Sequence, residues 1–285
     1  MESLQSLKYS LTFNRSLDQI INILKIATSI QLRQLQQEKW GEDKFVKQIS
    51  ASFSMFEKEE IINHNLISRE KAVPQGIVVV TSDEGFLGEL NILLLNAAMK
   101  VKQDDKDVFV VLGEKGAQFF RGTKQSFMFL PGVKDKTYMN TALKLKKFLF
   151  NEYIKGAINR VIIVYAEFIS ITARHIQAKQ LLPFPLDEIR GFAGKKGGDE
   201  ELMIRPSHDT VVEGLVGLRI GSALTEILYS SKLSELAARL MHLEASYQEL
   251  TRINNNLARE YFKSVHALAD KRIRELLASR IKVNK

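Results

Sequence analysis

Glycine and proline are distributed in a way that decides most of what this chain can fold into. From Ser222 to Lys285 there is neither. From Met1 to Val73 there is only Gly41, and all five prolines (74, 131, 183, 185 and 206) fall between. Turns need these residues and helix interiors reject them. The spacing therefore predicts long helices at both ends, over 1–70 and 207–285. It predicts a turn-rich domain over 71–206.

The C-terminal segment carries a heptad. Leu233, Leu240, Tyr247, Asn254, Tyr261 and Leu268 recur every seven residues, and Leu236, Leu243, Leu250, Leu257 and Ser264 follow three residues behind. This is the a/d pattern of a coiled-coil seam, with Asn254 as a register-setting polar residue at an a position. A helix from Ser222 to Lys285 would be roughly 95 Å long at 1.5 Å per residue. It must lie against another long element or project from its own domain. The N-terminal segment is the natural partner. Leu4, Leu7, Leu11, Leu17, Ile21, Leu24, Ala27/Thr28, Ile30/Gln31, Leu32 and Leu35 form a less regular helical stripe. A break is expected at Trp40–Asp43, with helix resuming to about Asn63.

The middle alternates strand and helix. Ile77–Val80, Val108–Leu112 and Val161–Tyr165 are short continuous apolar runs, as buried parallel strands require. Phe127–Leu130 is a weaker strand, and Ala173–Leu182 an extended edge segment. Helices are expected over Gly88–Val101 and Tyr138–Lys155, and residues 191–201 read as a glycine-rich loop. The fold class is α/β: a Rossmann-like central domain between the arms of a long antiparallel coiled coil.

Composition narrows the chemistry. The 285 residues hold no cysteine, which removes disulfides, thiol catalysis and cysteine metal sites. The five histidines (64, 175, 208, 242 and 266) lack metal-ligand spacing. No apolar run is long enough to span a bilayer, and the N-terminus lacks the basic start and apolar block of a signal peptide. A net charge of +8 and a pI near 9.4 point to an acidic partner. No dense basic block interleaved with aromatics suggests nucleic acid.

The segment Thr81–Asn91 follows a strand and opens a helix, where doubly wound folds bind ligands. It lacks the Gly-Lys-Ser/Thr of a phosphate loop and the three-glycine dinucleotide pattern, and Glu84 and Glu89 would repel phosphate. Gly113–Gly116 forms a second glycine turn. No nucleophile–base pair or carboxylate pair is evident, so no catalytic constellation, cofactor or metal is expected.

In order along the chain, several segments resemble the gamma, or central-stalk, subunits of F-type rotary ATP synthases. Thr81–Asn91 is similar to the family's Thr-Ser-Asp-Arg-Gly-Leu-Cys-Gly-Gly-Leu-Asn. Gly113, Lys115, Gly116, Phe119 and Phe120 match its Gly-x-Lys-Gly-x-x-Phe-Phe. Tyr165 and Phe168 match Tyr-x-x-Phe, and Gln180–Pro183 its Leu-Leu-Pro edge. Ser234, Glu235 and Arg239 match Ser-Glu-x-x-x-Arg, and Lys25, Leu32 and Arg33 fit the N-terminal helix. The chain departs from the family at Glu84, Leu87 and Glu89, which stand for Arg, Cys and Gly. The family's Tyr-Asn-x-x-Arg-Gln becomes Tyr261, Phe262, Val265 and His266, and its Ile-Thr-x-Glu-Leu becomes Ala269–Ile273.

The resemblance implies a non-catalytic rotor. It would pass through a ring of alpha and beta subunits, bind an epsilon subunit and rest on a membrane ring of c subunits. It would be peripheral on the cytoplasmic face of the membrane, or the equivalent organelle membrane. Expected partner-facing residues are Lys25, Arg33, Glu84, Glu89, Ser234, Glu235, Arg239, Arg252, Arg259 and Tyr261. A charged rather than apolar outer surface is expected on the helices, with Arg239, Arg252, Arg259, Lys263, Arg272 and Arg274 as a basic face. The rival reading is a stand-alone coiled-coil adaptor with an α/β ligand-binding domain, and a third is a nucleotide-using enzyme with helical arms.

Overall fold

The computed structural model describes residues 3–37, 42–53, 66–67, 74–123, 125–134, 137–185 and 207–283. The expected break at Trp40–Asp43 lies partly outside this set. The end of the second helix near Asn63 and the loop at 191–201 lie wholly outside it. The elements are α1 (Leu4–Gln37), α2 (Glu42–Phe53), β1 (Gln75–Val80), α3 (Leu90–Val101), β2 (Val108–Leu112) and α4 (Glu114–Arg121). They continue with β3 (Phe127–Leu130), α5 (Tyr138–Ile154), β4 (Arg160–Phe168), β5 (Arg174–Leu182) and α6 (His208–Val283). A long N-terminal helix, a central mixed sheet and a long C-terminal helix thus realise the expected fold class. The chain divides into two compact units: Leu32–Arg239, and Met1–Gln31 with Leu240–Lys285.

In the larger unit the sheet order is β3-β2-β1-β4-β5. The first four strands are parallel and β5 is antiparallel to β4. Every residue of β1 is buried, because a central parallel strand is covered on both faces. Ile77, Val79, Phe109, Val111, Val164 and Ala166 share one face through the period of two, and pack with Leu90, Leu94 and Phe120 from α3 and α4. Burying each such side chain contributes about 1.5–3 kcal/mol.

The amino end of β1 is pinned by Asp107, which is 3% exposed. Its carboxylate accepts from the backbone N–H groups of Gln75 (2.9 Å), Gln103 (2.9 Å) and Asp104 (3.0 Å), and from the Gln75 side-chain amide (3.0 Å). Burial pushes this carboxyl up, but the hydrogen bonds outweigh it and hold the group below its ordinary range.

One element differs from the sequence reading. Gly113–Gly116 is the start of a helix, α4, rather than a turn alone. The start of α6 at His208 agrees with the expected 207–285, but Gly214, Gly217 and Gly221 then lie inside a helix of 76 residues, beyond the glycine-free stretch from Ser222 on which the heptad was read. Two of these glycines face α5. A β-carbon at Gly217 would stand 3.3 Å from Lys146 Nζ and 3.9 Å from the Phe150 ring, and one at Gly221 would stand 3.5 Å from Lys146 Cδ. The contacts at Gly221 are ordinary, and the nearest atom at Gly217 is the far end of a flexible lysine, so packing against α5 does not require glycine at either position, and each costs about 1 kcal/mol of helix propensity. Burial also lowers the Lys146 ammonium below its usual value.

The smaller unit pairs α1 with the distal part of α6. Lys25, late in the α1 portion, meets Glu244 and Tyr247, early in the α6 portion, so the helices run antiparallel. The inward residues of α1 are Leu4, Leu7, Leu11, Asn14, Asp18, Ile21, Lys25 and Thr28, alternately three and four apart. This is a heptad whose a and d positions include four polar residues. Leu24 and Ile30, expected in the stripe, are 37% and 52% exposed.

On α6, Leu243 and Leu250 are buried. Tyr247, Asn254, Leu257, Tyr261 and Ser264 are half-buried, and Leu268 is 46% exposed. The seam therefore ends before the last expected position. Counting back from Lys25 to Leu4 at equal rise, α1 runs out opposite about position 265 of α6.

Candidate functional site

The switch point of a doubly wound sheet is the place to look for a ligand. Here it lies at the carboxyl end of β1, between β2 and β4, where Thr81–Asn91 leaves the sheet. Thr81, 4% exposed, donates its hydroxyl to the Leu112 carbonyl (2.6 Å) and accepts from the Gly116 N–H (3.0 Å). Ser82 donates its hydroxyl to the Glu84 carbonyl (2.8 Å) and accepts from the Asn91 amide (2.9 Å). Asp83 Oδ1 accepts from the N–H groups of Glu114 (3.1 Å) and Gly132 (3.0 Å). The N-terminus of α4, which could have faced an anion, faces the chain's own carboxylate.

Glycines make these contacts possible. Gly113 has φ +97°, and a β-carbon there would fall 2.5 Å from the Thr81 carbonyl oxygen. At Gly116 it would fall 2.5 Å from Thr81 Oγ1, and at Gly132 2.7 Å from Asp83 Cγ. The Gly-x-Lys-Gly spacing is thus the imprint of the turn after β1 on the turn after β2.

A line of charges continues from this turn onto α6. Lys232 Nζ lies 3.0 Å from Glu235 Oε1, which lies 3.0 Å from Arg239 Nη2. Arg239 Nη1 lies 3.0 Å from Glu84 Oε2. Glu235 and Arg239 are each 8% exposed. Burial pushes the Glu235 carboxyl up, Lys232 and Arg239 draw it back, and the balance leaves it above its ordinary range. Ser234 is fully buried and, among the described residues, its hydroxyl has no hydrogen-bond partner.

The remaining expected residues lie apart from this cluster. Glu89 is exposed just before α3 and caps nothing with its side chain. Lys25 pairs with Glu244 at 3.0 Å and stands 4.4 Å above the Tyr247 ring. Arg33 and Arg259 are exposed. Arg252 is exposed and doubly bonded to Glu249 (2.7 and 3.0 Å). Tyr261 is half-buried and meets the Phe262 ring edge-on.

The structure therefore gathers Glu84, Glu235 and Arg239 and separates the others. Thr81, Ser82, Asp83 and Asn91, from the turn already marked by its motif, and Lys232, which was not singled out, complete the arrangement. Lys232, Glu235 and Arg239 sit three and four apart on one helix face, a spacing that the sequence does carry.

Of the expected basic face, Arg252, Arg259, Lys263, Arg272 and Arg274 are exposed and Arg239 is buried by its ion pairs, but the outer surface of the paired helices also carries large apolar residues. Tyr9, Phe13, Ile20, Ile23 and Ile26 on α1, and Ile253, Phe262, Ile273, Leu276 and Leu277 on α6, are each at least 40% exposed. A monomer that leaves this much apolar side chain in water is built to be covered.

An α/β body of Rossmann strand order, flanked by a long N-terminal helix and a longer C-terminal one, is the fold of ATP synthase central-stalk subunits. The ATP synthase family model matches residues 3–275, and the chain belongs to the gamma-chain branch of that family. It is 24% identical to the ATP synthase gamma chain of Chlorobaculum parvum, over 98% of each chain. It is 27% identical to that of Mycoplasmopsis synoviae over 70% of each. The rotor of Euglena gracilis mitochondrial ATP synthase in rotational state 1 superposes with a TM-score of 0.67 at 17% identity, covering 93% of this chain and 98% of that one. A chain from the same enzyme in rotational state 3 gives 0.72 at 16% identity, covering 98% and 94%.

Proposed function

We propose that the chain is the non-catalytic central rotor of an F-type ATP synthase, coupling ion-driven rotation of a c ring to conformational cycling of the catalytic beta subunits. The observation that carries this is the family match along residues 3–275, arms and body together. The catalytic chemistry belongs to the alpha–beta ring, and this chain works by presenting different faces to it. Coupling of this kind needs differential contact with each state of the partner.

The partners are the alpha and beta subunits, an epsilon subunit and the c ring. The chain is peripheral to the membrane, and no helix among the described residues is long and apolar enough to cross one. Residues 1–70 and 207–285 act as the arms, and 71–206 as the body. The partner-facing residues are Arg33, Glu89, Arg252, Arg259 and Tyr261, which present side chains to solvent in whole or part. Lys25, Ser234, Glu235 and Arg239 serve the packing of the chain itself.

The test is a tagged chain purified from its native membrane, with the partners identified. Alpha, beta, epsilon and c subunits are expected. A defined homo-oligomer with none of them would support the adaptor reading instead. In the purified complex, reversing the charges of Arg252 and Arg259 together is expected to lower coupled ATP hydrolysis. Unchanged turnover and pumping would remove both from the partner surface.

A further inference from the structure

We infer that Glu84 is a positioning residue that fixes the angular setting of α6 on the α/β body, so that torque applied to the body reaches the helix without slip. This rests on the rotor reading. Two features of the turn carry it. The first is that the residues just before Glu84 are immobilised. Thr81 is tied to the end of β2 and the first turn of α4, and Asp83 to the N–H groups that begin α4 and follow β3. Glu84 therefore projects from a point anchored to three strand ends of the sheet.

The second is the state of Arg239. Its side chain is 9% exposed and its guanidinium is held from two sides, by Glu235 of its own helix and by Glu84 of the turn. Lys232 and Arg239 against Glu235 and Glu84 sum to zero; without Glu84 a buried net positive charge remains. The Glu84 side chain is itself 75% exposed. An exposed partner adds little to fold stability. What it does add is direction. The turn and α6 do not close tightly here: a crevice lined by Ser82, Leu87, Asn91, Ser231, Lys232 and Glu235 lies between them. Small residues at Ala237 and Ala238 let the helix come close, and Ala238 packs with the cluster that holds Leu87 and Leu90. On the same helix Ser230 accepts from the Phe168 N–H of β4 at 2.9 Å, which ties the helix to the sheet at one point. The Glu84–Arg239 bond is a second tie, to the strand-end turn, and two ties set an angle that one leaves free.

The experiment uses the assembled complex in sealed vesicles, with ATP hydrolysis and ion transport measured together. Glu84→Lys is expected to keep hydrolysis and the full set of subunits but to lower ions moved per ATP by about threefold, a modest loss in keeping with an exposed pair. Glu84→Asp, which keeps the charge, is expected to recover most of the ratio. Asp105→Lys, the same reversal on a loop far from α6 in sequence, is expected to leave it unchanged. A wild-type ratio in Glu84→Lys overturns the inference. So does loss of subunits from that variant at an unchanged ratio, which would make Glu84 a docking residue. Should Glu84→Lys not fold, the isosteric Glu84→Gln replaces it, with the same expected and contrary results. If the wild-type chain fails to join a catalytic ring at all, it is the rotor reading that fails.

Discussion

The two units of this chain are stabilised in different ways. The α/β unit buries its strands completely and fastens its turns with side-chain hydrogen bonds at both ends of β1. The helical unit closes a single seam, places Asn14, Asp18, Lys25, Thr28 and Asn254 along it, and leaves large apolar residues such as Tyr9, Ile23 and Leu276 outside. A seam with polar residues specifies register at a cost in stability. Both units leave large apolar residues in water, Ile92, Leu143 and Ile169 among them in the body, so the contrast lies in what holds each together: a sheet buried on both faces in one, and a single polar-marked seam in the other, which leans more on whatever surrounds it.

The comparison can be broken most easily at Gly113. Gly113→Val places a branched side chain at φ +97°, within 2.5 Å of backbone. A loss of about 3 kcal/mol or more is expected in chemical denaturation of the α/β unit. A change within about 0.5 kcal/mol would show that the strand-end turns are not rigid.

Asp107→Asn should cost about 2 kcal/mol, because one acceptor cannot serve four donors. The pH dependence carries the same information. A carboxyl held below its ordinary value contributes stability that is present above the unfolded value and lost as pH falls through the folded one. The wild-type body should therefore weaken in acid below the usual aspartate range. The asparagine variant should show a shallower acid limb in a pH series of melts.

A finer comparison lies within α1. Leu7 is 2% exposed and Ile20 is 53% exposed. Leu7→Ala should cost about 2 kcal/mol in the isolated chain. Ile20→Ala should change the isolated chain by less than about 0.5 kcal/mol. Equal effects, read from helical circular dichroism against temperature, would mean that the seam has been assigned to the wrong face.

How far the sequence foretold these regions follows from what each kind of order needs. Val108–Leu112 and Phe127–Leu130 were legible to the residue, because buried parallel strands are continuous apolar runs bounded by turns. The α4 helix was not: its apolar side is marked, but it is only eight residues long and opens at Gly113 with Gly116 inside, which reads as a turn. The α1 seam was misplaced at Leu24 and Ile30, which face outward while Lys25 faces in, and was right at Leu7, Thr28, Leu32 and Leu35. Hydrophobic periodicity finds the side a helix hides, and it misleads when a partner hides another side. The start of α6 at His208 lies one residue past the expected boundary at 207, three internal glycines notwithstanding. At the turn, the motif marked Glu84 and Arg239 separately. Only the fold shows that they meet, because 155 residues of chain separate them and their bond leaves no local pattern.

Hydrogen exchange, compared between the isolated full chain and the assembled complex, tests the contrast most directly. Amides of β1, β2 and β4 should be equally protected in both. Amides of residues 4–31 and of α6 beyond Leu250 should be markedly less protected than those strands in the isolated chain and gain most of their protection on assembly. Strong protection of those helical amides in the isolated chain would contradict the account, because the helix pair would then be a finished structure in need of no surrounding ring.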